Sequence, residues 1–258
     1  MTPSDPAPLA SRLRGLAAPG LAALAALAIL LSLGTWQLSR LAWKQGLIAQ
    51  VEARARAAPV PLAARAGWPQ MTPERDEYRR VTVTGTFRHD REAYLYHVAG
   101  DSRRQDAGRP RGQGYFVMTP LTTADGATVI INRGFVPTER RDPATRREGQ
   151  VEGMVAVTGL IRFPEPRGTF AATDDDFRRI FYTRDLAKMA GVMSARDAAP
   201  FSIDADATPV PGGWPQGGET LLSFPNRHLE YALTWYGLAL TLIGVFAAFA
   251  RQRLRGRP

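Results

Sequence analysis

The sequence predicts a membrane protein of α+β class, with two transmembrane helices flanking a β-rich periplasmic domain built as an antiparallel sheet or partial barrel. Three observations predict it. First, two runs near the ends of the 258 residues carry no charge, from Gly15 to Ser39 and from Tyr231 to Ala250. About 20 apolar residues in a helix cross the ~30 Å core of a bilayer. Second, arginines cluster outside both runs, at Arg12 and Arg14 and at Arg251, Arg253, Arg255 and Arg257. By the positive-inside bias both termini are then cytoplasmic. Third, the long middle alternates apolar and polar residues in short segments, the period of half-buried strands.

Taken in order, residues 1–15 form a cytoplasmic tail and 16–38 the first transmembrane helix. Ala26-Leu27-Ala28 fits a small-x-small cleavage pattern, but the apolar run continues past it through Ile29-Leu30-Leu31. An uncleaved anchor is the expectation. The periplasmic domain is assigned to residues 39–227. Trp36 to Ala58 reads as one helix carried outward on a stripe of Leu38, Leu41, Leu47, Ile48 and Val51, and Pro59 and Pro61 stop it. Pro61 to Glu77 reads as a linker lying over the domain.

Strands follow at Val81 to Phe87 and Glu92 to His97, joined by the polar His89-Asp90-Arg91 turn. Gly100 to Gly112, rich in Gly, Arg and Asp, reads as an exposed, mobile loop. Gly114 to Leu121 and Ala127 to Val136 flank Asp125-Gly126, a tight-hairpin pair. Gly134 can admit a second backbone, and Arg133 beside it is open to two readings, a strand-end residue or a partner anchor. Val151 to Phe163 gives another strand, Asp185 to Met193 a helix, and Pro200 to Ala205 a last strand. The second transmembrane helix is assigned to 228–250, and 251–258 to a cytoplasmic tail.

Composition narrows the function. The net charge is +9, yet no basic stretch interleaves with stacking aromatics, so no nucleic-acid partner is expected. Without cysteine there is no disulfide, thiolate metal site or cysteine nucleophile. Met189 and Met193 share a helix face with no histidine near them and read as core. No G-x-S-x-G elbow, P-loop, H-E-x-x-H or G-x-G-x-x-G stands in a supporting context, so an enzyme is not expected. Asp174-Asp175-Asp176 reads as a solvated cluster, and His89 and His97 as surface histidines.

Chemistry concentrates at Pro225-Asn226-Arg227-His228-Leu229-Glu230-Tyr231-Ala232-Leu233-Thr234-Trp235. Asn226 is placed to cap the helix and Glu230 falls in its first turn. His228 and Trp235, seven residues apart, share a face, with Tyr231 and the small Ala232 between them. Two readings fit these residues. The aromatic rings can anchor the helix at a membrane interface. Alternatively, a neutral imidazole, two rings and a gap can seat a flat metallated ring such as haem, with Arg227 pairing a propionate or a lipid phosphate.

In order along the chain stand Leu33-Gly34-Thr35-Trp36-Gln37-Leu38 with Arg40 and Trp43-Lys44, then Val83-Thr84-Gly85-Thr86-Phe87, then Gly114-Tyr115 with Thr119-Pro120-Leu121. Ile131-Asn132-Arg133-Gly134-Phe135-Val136-Pro137 follows, and last Pro225-Asn226, His228-Leu229 and Tyr231-Ala232-Leu233-Thr234-Trp235. This collinear set resembles the Surfeit locus protein 1 family. Arg227 departs from it, standing where a second asparagine is usual. The resemblance implies an inner-membrane protein, not an enzyme, that assists assembly of a haem-copper (cytochrome c) oxidase. It further implies transient binding of haem a and carries over His228, as the axial iron ligand, and Trp235; Tyr231 and Arg227 join that site from the reading of the residues above. The implied partners are the oxidase catalytic subunit, haem a synthase and the lipid bilayer. A cofactor-free scaffold for an oxidase intermediate is the alternative.

Overall fold

The computed structural model describes residues 9–99, 112–220 and 224–255. The helical and strand elements begin with α1 (Leu9–Arg56), β1 (Val60–Pro61), α2 (Pro73–Asp76), β2 (Arg80–Phe87), β3 (Ala93–Ala99) and β4 (Gly112–Thr123). They continue with β5 (Thr128–Pro137), β6 (Met154–Arg162), β7 (Ile180–Phe181), α3 (Leu186–Val192), β8 (Ala198–Ala205) and α4 (His228–Arg255). Two compact units result, residues 1–50 with 223–258, and residues 51–222. The loop expected at Gly100 to Gly112 lies outside the described residues except for Gly112, with which β4 begins. Arg257 lies outside them too.

In the first unit α1 and α4 are each long and apolar enough to cross a membrane. They touch through small residues, which let the two backbones approach closely. Ala232 and Ala239 of α4 are buried. Gly34 of α1 lies under the Tyr236 ring, where an added Cβ would stand 2.8 Å from Cε1 and Cζ. Thr35 Oγ1 and Tyr236 Oη meet at 3.2 Å beside it.

The second unit is built on a closed ring of five strands, β2–β6–β8–β5–β4, sealed where β4 returns to β2 with Thr123 opposite Gly85. Neither an antiparallel sheet nor a partial barrel describes it fully, because the ring closes and β5 pairs with β8 in parallel, Ile131 opposite Ile203. Alternation identifies strands but not their partners, and β8 reaches β5 only after the intervening α3. Closure leaves the ring without free edges. Nor do β2 and β3 pair with each other across the His89–Arg91 turn, since β3 pairs with β4 and β7.

β5 is buried along both faces, which explains its unbroken Thr128-Val129-Ile130-Ile131 run. Val129 and Ile131 point into the barrel core with Val83, Leu121 and Phe201. Ile130 points outward into a second core with Met118, Phe181 and the α3 residues Leu186 and Met189. Met193 joins that core, as expected.

The segment Pro61 to Glu77 is not a bare linker. β1 pairs with β2, and Trp68 is buried, edge-on to Phe201 at 5.7 Å. Its prolines enforce short 3-10 and extended pieces, so no period announces the anchoring ring. At Gly134 the φ of +123° and the Gln216 carbonyl, in clash range of any Cβ, require glycine. The bridge so formed, Phe135 N to Gln216 O at 2.8 Å and Gln216 N to Phe135 O at 3.0 Å, is the close backbone approach expected there.

Candidate functional site

His228 is the first residue of α4. Asn226 Oδ1 accepts from its backbone N at 3.4 Å, and the Arg227 carbonyl accepts from Tyr231 N at 3.2 Å. The histidine ring turns toward α1, where its Nδ1 meets Gln37 Oε1 at 2.7 Å, and Gln37 is itself buried. An amide oxygen only accepts, so Nδ1 is the ring nitrogen that donates to Gln37, and in a neutral ring Nε2 is the one left with a lone pair. Metal-binding histidines are commonly oriented this way, by an acceptor on the other ring nitrogen.

Lys44 Nζ donates to the Pro225 carbonyl at 2.5 Å and ties α1 to the residues before α4. Trp235 is half-buried, while Tyr231 and Arg227 are exposed. The gap expected at Ala232 is closed, since Ala232 is only 1% exposed on the face that packs the two helices together. Close approach at that position is therefore made by helix packing. Gln37 went unassigned in the sequence. Its signals there are its place in the Leu33-to-Leu38 match and a lone amide inside an uncharged apolar run.

The residues fit a porphyrin in one respect and restrict it in another. A porphyrin brings four nitrogens of its own, so one imidazole with a free Nε2 suffices as an axial ligand. With α4's small-residue stripe covered, the residues that would hold a flat ring are Tyr231 and Trp235 on the open side, not the stripe of Ala232 and Ala239. Among the described residues, no three or more His, Asp or Glu side chains gather as a metal site.

The second unit holds two buried charge networks, and they correct several expectations. Arg133 is neither an exposed anchor nor a simple strand end. Its Nη1 reaches Glu92 Oε1 at 3.0 Å and its Nη2 reaches the Gly149 carbonyl. Arg146 Nη2 binds Glu92 Oε2 at 2.6 Å, so one carboxylate with 2% side-chain exposure serves two guanidiniums. His89 is not a surface residue. Its Nε2 donates to the Val151 carbonyl at 2.8 Å, and its Nδ1 faces Arg133 Nη1 at 3.2 Å.

Burial alone would raise the Glu92 carboxyl. A hydrogen bond with His89, the hydrogen bond and charge of Arg146, and the Arg133 charge outweigh it and pull Glu92 down to about 2. Burial lowers the Arg133 guanidinium to about 10, against the pull of Glu92.

The other network centres on buried Asp204, which takes Arg184 Nη1 at 2.7 Å, Thr220 Oγ1 at 2.8 Å and Arg162 Nη1 at 3.4 Å. Beside it a half-open cavity of about 280 Å³ is lined by Tyr96, His97, Arg162, Arg184, Asp204 and Thr220. His97, also expected at the surface, is half-buried and stacks on Phe116 at 4.2 Å. Burial lowers its pKa, and the Arg184 charge lowers it further. The aspartate run is not simply solvated either. Asp174, 1% exposed at its side chain, takes Arg167 at 3.0 Å and Lys188 at 2.9 Å.

These carboxylates set a pH dependence. An ordinary glutamate titrates near 4.3 and an ordinary aspartate near 3.9. A carboxyl held below its unfolded value contributes stability that is present above that value and lost as pH falls through the folded one. Glu92, at about 2 in the fold, and Asp204, also lowered, share this sign. Barrel stability of the full chain in detergent should therefore fall between about pH 5 and pH 2. Near-UV circular dichroism reads this. A signal flat to pH 2 would contradict it.

The SURF1 family model matches residues 24–240. The chain is 41% identical over 227 residues to Surfeit locus protein 1 of Mus musculus, covering 85% of the chain and 72% of that protein. Against Surfeit locus protein 1 of Homo sapiens identity is 40% over 237 residues, 88% of the chain and 74% of that protein. Against the SURF1-like protein of Drosophila melanogaster it is 35% over 217 residues, 80% of the chain and 69% of that protein.

Proposed function

The chain belongs to the SURF1 family, and from that footing we propose that it is a two-span inner-membrane assembly factor for a haem-copper (cytochrome c) oxidase. Haem a is its cargo, held transiently on the way to the oxidase catalytic subunit. Haem a synthase is the partner whose product it takes up. Both termini lie in the cytoplasm and the barrel unit in the periplasm, and the chain carries out no reaction of its own.

The observation that carries the cargo assignment is the His228–Gln37 pair, 2.7 Å from Nδ1 to Oε1. Gln37 holds the proton on Nδ1 and aims the ring, and His228 presents Nε2 as an axial donor. Tyr231 and Trp235 offer aromatic walls, and Arg227, exposed just before the helix, is placed for a propionate. The cargo supplies the redox-active iron that the oxidase needs.

The closed gap at Ala232 favours a second reading, a cofactor-free scaffold that steadies an oxidase intermediate through the same helices. Deleting the gene separates assembly from other roles. Active oxidase should fall without vanishing, because an assembly factor speeds a step and does not carry the reaction. Unchanged oxidase activity and haem content, in a strain with no second copy of the family, would refute the assignment.

A further inference from the structure

Residues 164–179 join β6 to β7, and the chain orders this loop carefully. Asp174 accepts from Arg167, Lys188 and the Tyr182 backbone N at 2.9–3.0 Å. Asp175 and Ile180 exchange backbone hydrogen bonds at 2.8 and 2.9 Å, and Asp175 Oδ1 accepts from Arg178 N at 2.9 Å. On this pinned frame Phe170 is 99% exposed and Phe177 is 97% exposed. The other phenylalanines of the barrel unit are buried or half-buried. Leaving such a ring in water forfeits the apolar burial that the other phenylalanines gain. An ordered loop that holds two of them out is built to meet an apolar phase.

We infer that the Phe170/Phe177 loop docks onto the surface of the lipid bilayer. This rests on the membrane placement proposed above. Two rings offer roughly 300–500 Å², short of the ~800 Å² that each partner of a standard protein interface buries. Shallow insertion beside headgroups makes do with less, since it adds apolar burial to attraction between cations and anionic lipid. The loop's charges are mixed: Arg178 and Arg167, 69% and 44% exposed at their side chains, flank the two rings and pair with Asp175 and Asp174, and Asp176 pairs with Lys188. Each arginine is more exposed than the carboxylate it pairs with, 38% for Asp175 and 1% for Asp174, so the cations stand outermost. Both ends of this unit continue in sequence into span-length helices. The contact is then intramolecular with respect to the membrane, so a weak one is well populated.

The absence of cysteine makes the test clean. Phe170→Cys and Phe177→Cys would each carry the only label, a polarity-sensitive fluorophore. The full chain is reconstituted into phosphatidylcholine–phosphatidylglycerol vesicles in a three-to-one ratio. Met154→Cys, at another exposed apolar residue of the same unit (69%), is the comparison. The expected result is blue-shifted emission at 170 and 177, quenching by nitroxide-labelled lipid and loss of iodide quenching, with 154 remaining open to iodide. Equal iodide access at all three positions, in chain that still resists carbonate extraction, overturns the docking while the spanning helices stand. Release of the unmodified chain by carbonate refutes the spanning reading and this inference with it. Shielding seen in native membranes but not in lipid-only vesicles points to a protein partner and likewise overturns it.

Discussion

Replacing Glu92 with alanine should destabilise the barrel unit by about 3–5 kcal/mol, a large part of the roughly 5–15 kcal/mol that holds a typical domain together. The cause is stoichiometry. One carboxylate is the shared counter-charge of Arg133 and Arg146, both nearly fully buried, at 3.0 and 2.6 Å. Removing it strands two guanidiniums, with their desolvation uncompensated. Removing one arginine strands none, because the other still pairs with Glu92. Arg146→Met should therefore be clearly milder than Glu92→Ala. Urea unfolding of the full chain in detergent reads the order. Equal losses, or a Glu92→Ala loss below about 1 kcal/mol, would contradict a shared buried carboxylate.

The second large effect is on cargo. His228→Ala should remove most of the haem that co-purifies with the chain, while α4 stays inserted and the barrel stays folded. Gln37→Leu should weaken binding by about tenfold to a hundredfold, the usual loss when a ligating histidine loses its orienting partner. Trp235→Ala, which removes an aromatic wall, should cost about 1 kcal/mol. His89→Ala and His97→Ala should leave haem binding unchanged, because those rings serve the barrel's own networks. An interfacial anchor forecasts the opposite order, with Trp235→Ala disturbing insertion and His228→Ala doing little. Haem retained by His228→Ala with an unaltered spectrum would refute the ligand assignment.

Much of the fold was legible because its signals are local. Charge-free runs mark α1 and α4, period-2 alternation marks β2 and β3, and Asp125-Gly126 marks the β4–β5 hairpin. Gly134 announced a close backbone contact that Gln216 makes. What stayed hidden depends on partners far apart in sequence. Ring closure between Gly85 and Thr123, the parallel β5–β8 pair and the burial of Trp68 leave no periodic trace. His228 and Trp235 could be placed on one face from spacing alone. Gln37, 191 residues before His228, could not be tied to it, and the covering of Ala232 by α1 was invisible. Arg133 read as a strand end or a partner anchor, and nothing singled out Glu92 or Arg146, because a buried ion network is defined by convergence and not by motif. The same holds for Asp174, whose neighbours in the run are more exposed than it is.

The most direct measurement is the optical spectrum of the full chain purified in detergent from cells making haem a. A chain that carries haem on His228 should show a Soret band, absent from the same chain purified from cells that make no haem a. It should be lost in His228→Ala while the protein remains folded by circular dichroism. A wild-type sample with no Soret band, from cells whose oxidase nonetheless depends on this gene, would contradict haem carriage and leave the scaffold reading in its place.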